Sequence, residues 1–179
     1  MACEPQSWHS LPPYQSPDAD GFDKKLRGAC HCGTIVYWLS RDKPLASKFC
    51  HCQDCRTLHG APFQWAAIFH KSDMAFETGT RGLRFYNSAT RRAEHALPCK
   101  VTCANCGTLI MDEGRNMVLL FPTLLALSTQ EQRQNFQVQC HLFYPQRVVD
   151  IPDSLPKWEG LDHQSRLLPQ DSGAGRVFS

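Results

Sequence analysis

Of the chain's ten cysteines, most fall in three tight clusters: Cys30-His31-Cys32, Cys50-His51-Cys52-Gln53-Asp54-Cys55 and Cys103-Ala104-Asn105-Cys106. Thiols one or two residues apart, carried on a tight turn, can face a single point, as metal knuckles do. The same spacing suits disulfides poorly, because partners in C-x-C lie too close for the Cα separation and dihedral the bond requires. The chemistry these residue types point to is therefore metal binding, and zinc above all, since it accepts thiolate readily and closes with four tetrahedral ligands. Cys30 and Cys32 pair naturally with Cys103 and Cys106. Each pair sits in a hairpin turn beside a glycine, and together the four make a closed structural site.

That count leaves Cys50, Cys52 and Cys55. Three thiolates on one zinc leave a fourth position for water or substrate, which is what a catalytic zinc needs. Alternatively a fourth side chain closes the site: His51, His59, Cys99 or His141, with Cys99 the foremost candidate. An open site of three thiolates would carry a net charge near −1. It would be a weak generator of hydroxide but a good receiver of a soft ligand, above all a substrate thiol whose pKa it would lower. Arg56 and Gln64 follow the cluster and are read as substrate-binding. Phe63, Trp65 and Phe69 alternate on one strand face and are read as core. His141 is read as a satisfied core histidine, Cys140 as buried and inert, and Cys3 as a free thiol.

The bulk numbers bound the answer. The chain has 179 residues, 42% hydrophobic and 20% charged, with a net charge of +2 and a pI near 8.1. This is an ordinary composition for a globular protein able to bury a core without staples. It lacks the strong basic face of a nucleic-acid binder, and no apolar run approaches the roughly 18 residues of a membrane span. The first residues show neither a basic region nor an apolar one of a secretory signal. The expectation is thus a reducing compartment, cytoplasmic or nuclear, where thiols hold metal.

The positioning elements follow. Residues 1–21 are Pro-rich and read as a flexible extension, which Trp8 and Tyr14 could pin. Residues 22–160 form the zinc-binding domain, and 161–179 a tail. Strands are expected at Thr34–Leu39, Leu45–Cys50, Phe63–Phe69, Met74–Glu77, Leu83–Tyr86, Leu97–Thr102, Thr108–Met111, Asn116–Phe121 and Phe136–Tyr144. One or two helical turns are expected over Gln53–His59, stopped by Gly60. A second helix is expected over Ser128–Asn135, with Ser128 as N-cap and Glu131 three residues on. Many short strands and little helix make a mainly β fold.

With these motifs in place, the chain resembles the glutathione-dependent formaldehyde-activating enzyme family, which also includes centromere protein V. The matching pieces are Gly28-Ala29-Cys30-His31-Cys32-Gly33, Cys50-His51-Cys52-Gln53-Asp54-Cys55-Arg56 and Cys103-Ala104-Asn105-Cys106-Gly107-Thr108. His141-Leu142-Phe143 and Asp153-Ser154-Leu155-Pro156-Lys157-Trp158-Glu159 match in style. The resemblance implies a β-tent of small antiparallel sheets built around knuckle hairpins. It implies a structural zinc at Cys30, Cys32, Cys103 and Cys106 and a catalytic zinc at Cys50, Cys52 and Cys55. It also implies carbon–sulfur lyase chemistry on a glutathione–aldehyde adduct such as S-hydroxymethylglutathione. The competing readings are a non-catalytic zinc module for a protein or nucleic-acid partner, and an enzyme on this scaffold acting on a specialised metabolite.

Overall fold

A computed structural model describes residues 7–18 and 21–169 of the chain. In chain order its strands are β1 (Leu26–Ala29), β2 (Val36–Leu39), β3 (Ala46–Cys50), β4 (Gln64–His70), β5 (Met74–Phe76), β6 (Leu83–Tyr86), β7 (Cys99–Cys103), β8 (Leu109–Glu113), β9 (Met117–Leu120) and β10 (Cys140–Leu142). Two short helices interrupt them, α1 (Gln53–His59) and α2 (Gln130–Asn135). The fold is mainly β, as expected. Its described residues gather into two compact units, one from those up to Ala46 with Ala66–Gln137, the other from Ser47–Trp65 with those from Val138 onward.

In the first unit, β1, β2 and β5 form an antiparallel sheet in which Gly28 faces Tyr37 and Trp38 faces Ala75. β6, β7, β8 and β9 form an antiparallel run, with β9 also paired to the Ala67–His70 part of β4. Residues of period two supply the core: Tyr37 and Leu39, Ala67 and Phe69, Val118 and Leu120, all at 0% exposure. Each such large apolar side chain contributes roughly 1.5–3 kcal/mol by leaving water. Tyr37 lies across Gly28, where a Cβ would come within 2.1 Å of the ring. Only glycine fits there.

The stretch read as a flexible extension is anchored over residues 7–18. Tyr14 is buried and donates from its hydroxyl to Glu113 Oε2 at 2.6 Å, and Trp8 stacks on His95 with ring centroids 3.5 Å apart. Proline content suggested looseness, but two aromatic side chains bury enough surface to hold so short a segment. Met1–Gln6, with Cys3, and residues 170–179 lie outside the described residues.

α2 starts one residue later than its expected cap. Thr129 Oγ1 accepts from the Gln132 amide at 3.1 Å, while Gln132 Oε1 accepts from the Thr129 amide at 3.1 Å. This is a full capping box with glutamine in the place expected for Glu131. In the second unit, β10 covers only Cys140–Leu142 of the longer strand expected, ended by Phe143 at φ 53°. It pairs with β3 in parallel, Phe49 facing His141 and Cys50 facing Leu142. Parallel pairing needs a long crossover, and these two strands lie far apart in the chain.

Candidate metal centres

Two hairpin turns of the first unit carry the four-thiol cluster. The β1–β2 turn closes through Gly33 N donating to Cys30 O at 3.0 Å and Cys30 N to Ile35 O at 3.0 Å. The β7–β8 turn repeats the pattern, Gly107 N to Cys103 O at 3.0 Å and Cys103 N to Thr108 O at 2.9 Å. Gly33 at φ 75° and Gly107 at φ 73° occupy the left-handed region, which is why a glycine follows the second cysteine of each knuckle. His31 N donates to Thr108 Oγ1 across the two turns at 3.2 Å.

The sulfurs of Cys30, Cys32, Cys103 and Cys106 all lie within 4.8 Å of one another. Cys30 and Cys32 are 3.4 Å apart and Cys32 and Cys103 are 3.8 Å apart. A tetrahedral zinc with bonds of about 2.3 Å sets its sulfurs about 3.8 Å apart, so this donor set fits the metal. The thiolate form is prepared at the exposed pair. Hydrogen bonds from Thr34 and then Asn105 lower the Cys32 pKa to about 5, and Thr108 lowers that of Cys106 to about 7. Burial holds Cys30 up at about 11.

The second unit carries Cys50, Cys52 and Cys55, whose sulfurs also gather within 4.8 Å. Cys50 ends β3. Cys52 is the N-cap of α1, its sulfur accepting from the Cys55 amide at 3.4 Å, and Cys55 lies in the first turn. α1 ends at Gly60, whose amide returns to Arg56 O. A side-chain hydrogen bond with Cys52 is the first cause that raises the Cys50 pKa, to about 11. Among the described residues, no other His, Cys, Asp or Glu completes this group. Three soft donors converging on one point fit a zinc with a position to spare.

The candidate fourth ligands are placed as follows. His51 is fully buried and its Nε2 lies 2.9 Å from His141 Nδ1. His141 is also fully buried and bonded at both nitrogens, in agreement with its reading as a satisfied core histidine. Cys99 gathers with His95 and Glu113 in the first unit, where Cys99 and Glu113 face each other across β7 and β8. Cys140 is buried, which raises its pKa. Arg56 donates from Nε to His51 O at 3.0 Å. It also lines an open depression of about 350 Å³ together with Thr57, Gly60, Ala61, Pro62 and Val148. Gln64, the other residue read as substrate-binding, is 1% exposed and does not line it. Phe69 is core, whereas Phe63 and Trp65 are half-buried and Trp65 Nε1 donates to Ser47 at 2.9 Å.

Sequence reading did not join two sets of residues, although it quoted His141 and the Asp153–Glu159 stretch as part of the resemblance. Asp153 and Lys157 join His141 in one bonded chain, and Tyr14, Lys71 and His95 converge on Glu113. Asp153 and Lys157 are only four residues apart, but their link to His141, and the meeting of Tyr14, Lys71 and His95 on Glu113, join segments that no spacing in the chain connects.

Residues 25–146 match the family described as glutathione-dependent formaldehyde-activating enzyme. No curated protein matches the chain. Among solved structures, a crystal structure of a Rhodobacter sphaeroides protein is 22% identical, covering 63% of this chain and 96% of its own, with a TM-score of 0.47. No helix among the described residues is long and apolar enough to cross a membrane.

Proposed function

The chain belongs to the glutathione-dependent formaldehyde-activating enzyme family, and from that premise we propose that it is a zinc-dependent carbon–sulfur lyase acting on a thiol–aldehyde adduct. The observation that carries this reading is the convergence of Cys50, Cys52 and Cys55 with no fourth His, Cys, Asp or Glu among the described residues. Cys30, Cys32, Cys103 and Cys106 are assigned the closed, structural zinc of the first unit. Zinc bound at the open site would supply a cationic centre that favours the deprotonated form of a substrate thiol.

In the joining direction the thiolate sulfur of glutathione, or a similar small thiol, adds to the carbonyl carbon of the aldehyde. A C–S bond forms, the π pair moves to oxygen, and that oxygen takes the proton the thiol gave up. The reverse breaks the C–S bond and returns the proton to sulfur. The chain's own residues hold the reactants. Cys50 at the end of β3, Cys52 at the N-cap of α1 and Cys55 in its first turn would hold the point of attachment. Arg56, one residue past Cys55, lines the depression beside α1, and its residue type suits a carboxylate of the substrate. Gln64 is enclosed, so recognition is assigned to Arg56.

The test is NMR exchange between glutathione and formaldehyde with the zinc-loaded chain. Acceleration over the uncatalysed exchange is expected, and Cys52→Ser should remove it while circular dichroism stays unchanged. Absence of acceleration with both sites loaded would sink the substrate. X-ray absorption showing the second zinc closed by four protein ligands would sink the open site itself.

A further inference from the structure

A chain of hydrogen bonds in the second unit ends on the histidine between two of the proposed zinc ligands. Lys157 Nζ donates to Asp153 Oδ1 at 2.9 Å and to the Asp153 carbonyl at 2.9 Å. Asp153 Oδ2 lies 2.9 Å from His141 Nε2, and His141 Nδ1 lies 2.9 Å from His51 Nε2. The donors in this chain can be assigned from one end. A carboxylate paired with an ammonium only accepts, so His141 carries its proton on Nε2. A neutral His141 then has a bare Nδ1, which accepts, and His51 must donate from Nε2. Both rings are at 0% exposure, where a second proton on either ring is costly to bury. The remaining atom, His51 Nδ1, is buried without a hydrogen-bond partner, as a bare nitrogen among non-donors would be.

We propose that His141, Asp153 and Lys157 are positioning residues for the three-thiol loop: they lock the His51 ring as its Nε2–H tautomer in one orientation, and so fix the directions in which its neighbours Cys50 and Cys52 present their sulfurs. The proposal rests on the assignment of metal to Cys50, Cys52 and Cys55. The geometry around the loop supports it. The His51 amide donates to Leu142 O at 3.0 Å and its carbonyl accepts from Arg56 Nε at 3.0 Å, so ring and backbone of this one residue are tied to β10 and α1. The ring also packs edge-on against Tyr144 at 5.2 Å. A thiolate site of three ligands has no fourth protein bond to hold its shape, so the loop must be held from outside.

Two readouts test it. Long-range proton–nitrogen NMR of the histidine-labelled, zinc-loaded chain should show His51 and His141 each protonated at Nε2 and bare at Nδ1. A proton on His51 Nδ1 would overturn the proposal. In the second readout, zinc affinity at each site is followed by chelator competition in His141→Leu and His141→Gln. Leucine can neither accept nor donate and should weaken the three-thiol site about tenfold or more, the scale seen when partners around a metal site are lost. It should also release His51 into a mixture of tautomers. Glutamine can accept from His51 and donate to Asp153 and should recover most of the affinity, while the four-thiol site stays unchanged in both variants. Equal affinities and an unchanged His51 tautomer in the leucine variant would overturn the inference. If the native chain holds no metal at the three thiols, the proposed function falls, and the tautomer spectrum still decides what the bonded chain imposes on His51.

Discussion

Glu113 shows how much one residue can draw together. It is 1% exposed and accepts from Tyr14 at 2.6 Å, Lys71 at 2.6 Å and His95 at 2.8 Å, with Cys99 Sγ at 3.8 Å. Burial alone would raise its pKa, but the bonds from His95, Lys71 and Tyr14 outweigh it and the carboxyl is held below its ordinary 4.5. A carboxyl depressed in the native state stabilises the fold fully above its unfolded pKa, and that contribution is lost as pH falls through the lower native value. Replacing Glu113 with glutamine should therefore cost about 1–3 kcal/mol near neutral pH, since it unbalances a buried set of donors. The gap from the native protein, followed by urea unfolding, should narrow as pH falls below the carboxylate range. A constant gap throughout would reject this account. At this scale the three thiol clusters were legible from spacing. The Glu113 cluster was not, because Cys99 and Glu113 meet only through the register of β7 and β8 and Tyr14 arrives from a distant segment.

At the scale of elements, the strands announced themselves by alternation and by β-branched and aromatic content, and both knuckle turns by the glycine after each second cysteine. α1 was readable from its stop at Gly60. What composition left open was close approach. Gly28 in β1 faces Tyr37 in β2, and a methyl group there would lie 2.1 Å from Tyr37 Cζ and 2.5 Å from its hydroxyl. Gly28→Ala should thus displace the ring from its core position and destabilise the first unit by about 1–3 kcal/mol, the usual cost of overpacking. Thermal unfolding checks this. An unchanged midpoint would mean that Tyr37 has room to move. The segment 7–18 was harder to read, because its prolines spoke for looseness while its anchoring depends on partners, His95 and Glu113, remote in sequence.

For the molecule as a whole, the proposed zinc sites differ in what they hold. The four-thiol site ties the β1–β2 turn to the β7–β8 turn within one unit, and its loss should be a folding event. Chelation of that metal, or Cys103→Ser, should speed hydrogen exchange across β1, β2, β7 and β8 and lower the unfolding midpoint. Cys52→Ser should leave both nearly unchanged. Equal destabilisation by the two substitutions would dissolve the division into a structural and an open site. The gathering of Cys50, Cys52 and Cys55 and the mainly β class were determined by the sequence alone, because cysteine spacing and strand periodicity are local properties that survive in a linear string. The tertiary structure decided the rest: that His51 turns to His141, that Asp153 and Lys157 stand behind it, and that Arg56 reaches the open depression while Gln64 is enclosed. Those facts depend on which strands pair and in which direction. The parallel return of β10 beside β3 brings residues together that no spacing in the chain could have joined.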